Sequence, residues 1–205
     1  MKKYSLLFKE AVKRSKNLGL NKGESFRRYQ QNYSDPQLLN SAIKRYKSLG
    51  WGINELSQNC GLAHAEIFHL LEHHDERAYI TIGNVHINGK PWLNVSPESL
   101  ISDLKKGPCE DVMNMHVWLT LPNMTIHDFT IRPNQAMNAG IALDIEKSII
   151  TLKPDEFDPE HYYEPMIVGH QFLQKIGCYD ISALNANKSL NRTNNSWFLL
   201  LRRLF

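Results

Sequence analysis

The stretch that decides the fold reads Met115-His116-Val117-Trp118-Leu119-Thr120-Leu121, then Pro122-Asn123-Met124, then Thr125-Ile126-His127-Asp128-Phe129-Thr130-Ile131. Two runs rich in β-branched and aromatic residues flank a turn signal, which predicts adjacent antiparallel strands from Met115 to Leu121 and from Thr125 to Ile131. His116 and Asp128 fall about six residues either side of the turn and roughly opposite, within side-chain reach across the ladder. A carboxylate beside an imidazole fixes which ring nitrogen carries the proton, which is what a proton-transfer histidine needs.

Upstream, Ala78 to Ile87 predicts another strand, Asn88-Gly89 a tight hairpin turn, and Trp92, Leu93 and Val95 the returning strand. A short helix at Pro97 to Lys105 and a loop at Gly107-Pro108 follow. Before them, Leu62, Ala63, Ile67, Leu70 and Leu71 recur with a period near 3.6, predicting a helix from Cys60 to His73 with Cys60 in its first turn. Tyr4, Leu7, Phe8, Ala11, Val12 and Leu18 mark an amphipathic helix over 2–18 that ends at Gly19. A second starts after Ser34-Asp35-Pro36 and runs through Leu39, Ile43 and Tyr46 to Gly50. Each has one apolar face that the rest of the chain or a partner must cover. Downstream, a strand is expected within Ile141 to Leu152, a helix over Pro159 to Ile176 and a loop over Asn185 to Ser196. Helices first and an antiparallel sheet after them define an α+β fold.

The 205 residues suit one domain with appendages, and 42% hydrophobic against 22% charged residues excludes a disordered or fibrous chain. The longest purely apolar run, Trp197 to Leu201, is far short of the ~20 residues that a membrane helix needs. Lys9 and Glu10 interrupt the first apolar stretch before an export signal could form. Cys60, Cys109 and Cys178 are odd in number and lack CxxC spacing, so reduced thiols and cytoplasmic synthesis are expected, with delivery into another cell left open. Cys109 and Cys178 read as structural.

Charge divides the chain in three: residues 1–50 carry 12 Lys+Arg against 3 Asp+Glu, residues 51–186 carry 8 against 18, and residues 187–205 carry four basic side chains and no acid. The pattern suggests a basic helical N-terminal lobe, an acidic main body and a basic apolar tail that docks on it. The basic segments either fold against the acidic body or meet an anionic partner.

Cys60, His116 and Asp128 together have the residue types of a thiol nucleophile, its base and the orienting acid. A thiol at a helix N-terminus sits at the positive end of the helix dipole, and a neighbouring imidazole favours the thiolate further. The oxyanion donors would be the Cys60 backbone N–H and a side chain just upstream, Gln58 first, with Asn59 and Asn54 behind it. Singly, a helix cysteine or a strand histidine is ordinarily a core residue. His69 and His73 share a helix face at i, i+4 as a zinc pair would, but no third ligand is identifiable and a solvated face is the plainer reading. His64-Ala65-Glu66 with Pro108-Cys109 has part of a zinc deaminase pattern, yet Val112 stands where the second cysteine belongs. No P-loop, GxGxxG or GxSxG occurs, and no cofactor is called for.

The runs Asn59-Cys60-Gly61-Leu62-Ala63, Ala78 to Gly83, His116-Val117-Trp118 and Ile126-His127-Asp128-Phe129-Thr130 resemble the core of the transglutaminase-like and papain-like cysteine enzymes. Over residues 57–131 the resemblance implies a papain-like core with a central helix packed on an antiparallel sheet. It also implies Cys60 as nucleophile, His116 as base and Asp128 as orienting acid. The expected activity is acyl transfer on an amide of a protein or peptide, as an amidase, peptidase, glutamine deamidase or transglutaminase. By analogy, size and charge would suit a bacterial effector or toxin. The contrasting expectation is a non-catalytic binding module whose Arg14, Arg27, Arg28 and Arg45 hold nucleic acid or an acidic protein.

Overall fold

Six strands and seven α-helices make up the residues that the structure, a computed structural model, describes: 4–20, 35–73, 78–108, 114–153, 156 and 159–178. Helices α1 (Tyr4–Asn17), α2 (Asp35–Ser48), the single turn α3 (Ile53–Leu56) and α4 (Cys60–His73) precede β1 (Tyr79–Ile87) and β2 (Lys90–Pro91). Helix α5 (Pro97–Lys106) leads to β3 (His116–Thr120) and β4 (Ile126–Asp128). Then come α6 (Ile131–Ala139), β5 (Ile150–Leu152), β6 (Tyr162–Val168) and α7 (His170–Lys175). All pairings are antiparallel: β1 lies between β6 and β3, β4 and β5 extend the sheet beyond β3, and β2 closes a short hairpin on β1. The fold is α+β.

Alternation along β3 builds two cores, because successive strand side chains face opposite ways. Val117 and Leu119 pack with Ala63, Ile67 and Leu71 of α4, while Trp118 joins Tyr4, Phe8 and Ala11 of α1 with Ile126, Tyr163 and Val168. The sheet is therefore covered by α4 on one face and α1 on the other. Helix α2 adds Leu38, Ala42 and Tyr46, at helical spacing, to the α4 core, and the Tyr46 hydroxyl donates to the Ala63 carbonyl at 2.9 Å. Both N-terminal helices thus find cover for their apolar faces within the chain. No described helix is long and apolar enough to cross a membrane.

Several expected boundaries move. The stretch Pro159 to Ile176 is not one helix: it holds β6, paired along β1, and only then α7. Pro165 lacks an N–H and reads against a strand, but it lies at a bulge, where the register shifts between Ile82 and Gly83. The Met166 carbonyl beside this bulge accepts from Arg14 Nη1 at 2.6 Å, and the Val168 N–H donates to Ser15 Oγ at 2.8 Å. The return strand after Asn88-Gly89 stops at Pro91, and the Asn84 side chain instead holds both backbone groups of Val95. The strand expected to reach Ile131 ends at Asp128, whose carboxylate captures the N–H groups of Thr130 and Ile131. Ser34, Arg27, Arg28, His74, Cys109, the 185–196 loop and the 187–205 tail lie outside the described residues.

A Cβ on Gly83 would meet the Glu164 carbonyl oxygen at 2.0 Å, backbone that cannot yield without parting β1 from β6. Gly83→Ala is expected to destabilise the protein by at least about 2 kcal/mol, read as a lowered urea midpoint. A change within about 0.5 kcal/mol, the range of an ordinary surface substitution, would contradict this packing.

Candidate active site

Cys60 opens α4 and is half-buried, and its N–H belongs to the first turn, where no intrahelical acceptor exists. Its Sγ donates to the carbonyl oxygen of Met115, the residue before β3, at 3.5 Å, and the thiol is among the neighbours that raise the His116 imidazole. His116, nearly fully buried, donates from Nε2 to Asp128 Oδ2 at 2.6 Å, so Nδ1 is the ring nitrogen that the acid does not engage. The structure therefore brings Cys60, His116 and Asp128 together. The His/Asp contact is diagonal rather than directly opposite: Leu119 pairs with His127 and Thr120 with Ile126, so Asp128 lies across from Trp118. The same-face alternation survives this offset, and the two side chains still meet.

Asp128 is the anchor of the site. Its Oδ2 accepts from His116 and from the Tyr163 hydroxyl at 2.9 Å. Its Oδ1 accepts the N–H groups of Thr130 (2.9 Å) and Ile131 (3.0 Å) and the Thr130 hydroxyl (3.3 Å), so the carboxylate also caps the start of α6. Burial alone would raise this carboxyl, but the charge and hydrogen bond of His116, with these donors, hold it well below the usual carboxylate range. Burial would likewise lower His116. The charge and hydrogen bond of Asp128, aided by Cys60, outweigh it and push the imidazole up to about 10.

A second histidine, His64, lies one helical turn after Cys60 and is fully buried. Its Nδ1–H donates to the Cys60 carbonyl at 2.8 Å, and its Nε2 accepts the Phe129 N–H at 3.1 Å. One nitrogen donates and the other accepts, so the ring is neutral. Burial, opposed by the charge of Asp128, lowers it to about 4. His64 ties the first turn of the cysteine helix to the strand end that carries the acid. Its i, i+4 relation to Cys60 is visible in sequence, whereas its partner at Phe129 is not. Tyr163 was equally hidden, because it lies in the segment expected to be helical.

Gln58 has an exposed side chain and a left-handed backbone, φ 66°. Its N–H donates to Asn134 Oδ1 at 2.8 Å. The Asn59 amide is turned back on the chain, donating to the Glu55 carbonyl at 2.8 Å, and Asn54 is exposed. His69 is paired with Glu72 at 3.0 Å. Among the described residues no three His, Cys, Asp or Glu side chains converge as a metal site. Cys178 packs against the cysteine helix, where a Cβ on Gly61 would lie 2.2 Å from its Sγ, and burial pushes its thiol up to about 12. The arrangement offers a sulfur, an imidazole beside it, and an ionised carboxylate behind the imidazole: the parts of a proton-assisted nucleophile. No family model, curated protein or solved structure matches the chain.

The two histidines load the stability curve from opposite sides. His64, depressed in the folded state, adds stability that is present above pH 6.5 and lost as pH falls toward 4, a loss of roughly 3 kcal/mol. His116, raised in the folded state, adds stability that is present below pH 6.5 and lost as pH rises toward 10. Urea unfolding across pH 4–10 should show both limbs. His64→Asn should flatten the acid limb and His116→Asn the alkaline one; an acid limb unchanged in His64→Asn would refute its burial as a neutral ring.

Proposed function

We propose that the protein is a cysteine-dependent acyl-transfer enzyme of transglutaminase-like or papain-like type, acting on an amide of a protein or peptide. The observation that carries this reading is the buried 2.6 Å contact of His116 with Asp128, with the other face of the imidazole toward Cys60. A helix headed by cysteine and packed on an antiparallel sheet, with His and Asp on adjacent strands, supports the same reading.

With the thiol proton held on His116, Cys60 Sγ attacks the carbonyl carbon, and charge collects on the oxygen beside the Cys60 N–H. The C–N bond breaks as His116 passes its proton to the departing nitrogen, leaving a thioester and a free amine or ammonia. Water then attacks the thioester while His116 takes its proton, and the carboxylic acid leaves as the thiol is restored. An amine in place of water gives transamidation by the same steps. Throughout, Asp128 keeps Nε2 protonated and the ring aligned.

The basic-module reading fares less well, since Arg14 binds the Met166 carbonyl and Arg45 binds Glu66 at 2.9 Å. Two of its four arginines are engaged within the chain.

Iodoacetamide near neutral pH should label Cys60 well before Cys109 and Cys178, with peptide mass spectrometry as readout, and His116→Ala should abolish this preference. Equal labelling of all three thiols would end the proposal. Incubation with candidate proteins should then reveal either cleavage or the small mass gain of OH replacing NH2 at an amide.

A further inference from the structure

Beside the three reacting side chains stand the left-handed backbone of Gln58, a residue with a full side chain, and Asn134, which contacts it. Asn134 lies on α6 and its Oδ1 accepts two hydrogen bonds, from Ser57 Oγ at 3.0 Å and from the Gln58 N–H at 2.8 Å. An L-residue holds φ near +66° only where its surroundings impose it. Here one side-chain oxygen clamps two successive residues of the turn that delivers the chain into Cys60. The helix bearing that oxygen is itself started by Asp128, through the N–H groups of Thr130 and Ile131. A closed circuit results: Asp128 orients His116 with one oxygen and, with the other, seats α6, whose Asn134 sets the backbone before the cysteine.

We propose, on the acyl-transfer reading above, that Asn134 is a positioning residue that aims the Cys60 backbone N–H at the developing oxyanion by holding Gln58 in its left-handed turn. Asn134 acts through its acceptor oxygen and does not itself touch the reacting carbonyl. Gln58 accordingly serves through its main chain, not its side chain.

Two reactions of the same sulfur separate this role from a general structural one. Alkylation by iodoacetamide displaces iodide at a saturated carbon and builds no oxyanion. Acylation by p-nitrophenyl acetate passes through a tetrahedral oxyanion, forming the S–acetyl bond and releasing p-nitrophenolate. Asn134→Ala should slow acetylation of Cys60 by about tenfold to a hundredfold while its alkylation rate and pH profile stay as in the wild type. Asn134→Asp, which keeps the acceptor oxygen and lacks the amide donor, should restore acetylation. Parallel loss in both reactions, loss in neither, or an Asp variant as slow as the Ala variant would each overturn the role given to Asn134. A wild-type protein alkylated but never acetylated at Cys60 would instead overturn the acyl-transfer reading, and this inference with it.

Discussion

A carboxylate with no exposure to water governs this structure. Asp128 is fully buried, and an ion placed so is tolerable only when every lone pair is answered. Five donors answer it: a histidine on β3, a tyrosine on β6, and two backbone amides and a hydroxyl at the start of α6. Removing one partner of such a buried pair typically costs about 3–5 kcal/mol, because the other charge is left uncompensated. One side chain therefore joins the neighbouring β3 and α6 to the more distant β6, and the candidate site cannot be separated from the framework that holds it.

The same charge gives two histidines opposite states within one small volume. His116 makes a direct 2.6 Å bond to Oδ2 and is held protonated, whereas His64 stands 3.8 Å from Oδ1 and stays neutral. What divides them is the Phe129 N–H, which occupies the His64 nitrogen facing the acid. A protonated ring there would set donor against donor. One imidazole is left charged beside the acid, and the other fixes the start of the helix that carries the sulfur.

What the chain discloses by itself follows from how local the governing interaction is. The Cys60 helix and the His/Asp hairpin were legible because period 3.6, period 2 and a proline-marked turn are short-range signals. The two-residue offset in the hairpin was not, since it arises from Met124 adopting φ 72°, which that residue type does not announce. Strand β6 was hidden because Pro165 argues against a strand unless one knows that Gly83, far upstream, leaves room for a bulge. His64 and Asn134 were visible as residues but not in their roles, whose partners lie 65 and 76 positions away.

Helix α1 meets β6 through bonds spanning 152 and 153 positions, from Arg14 to Met166 and from Val168 to Ser15. Closing so long a loop is entropically slow, and the reward comes only once both ends exist. During synthesis the apolar stripe of Tyr4, Phe8 and Ala11 precedes the strand beneath it and stays uncovered until that strand has emerged. Until then the nascent chain exposes an apolar helix face, a starting point for aggregation.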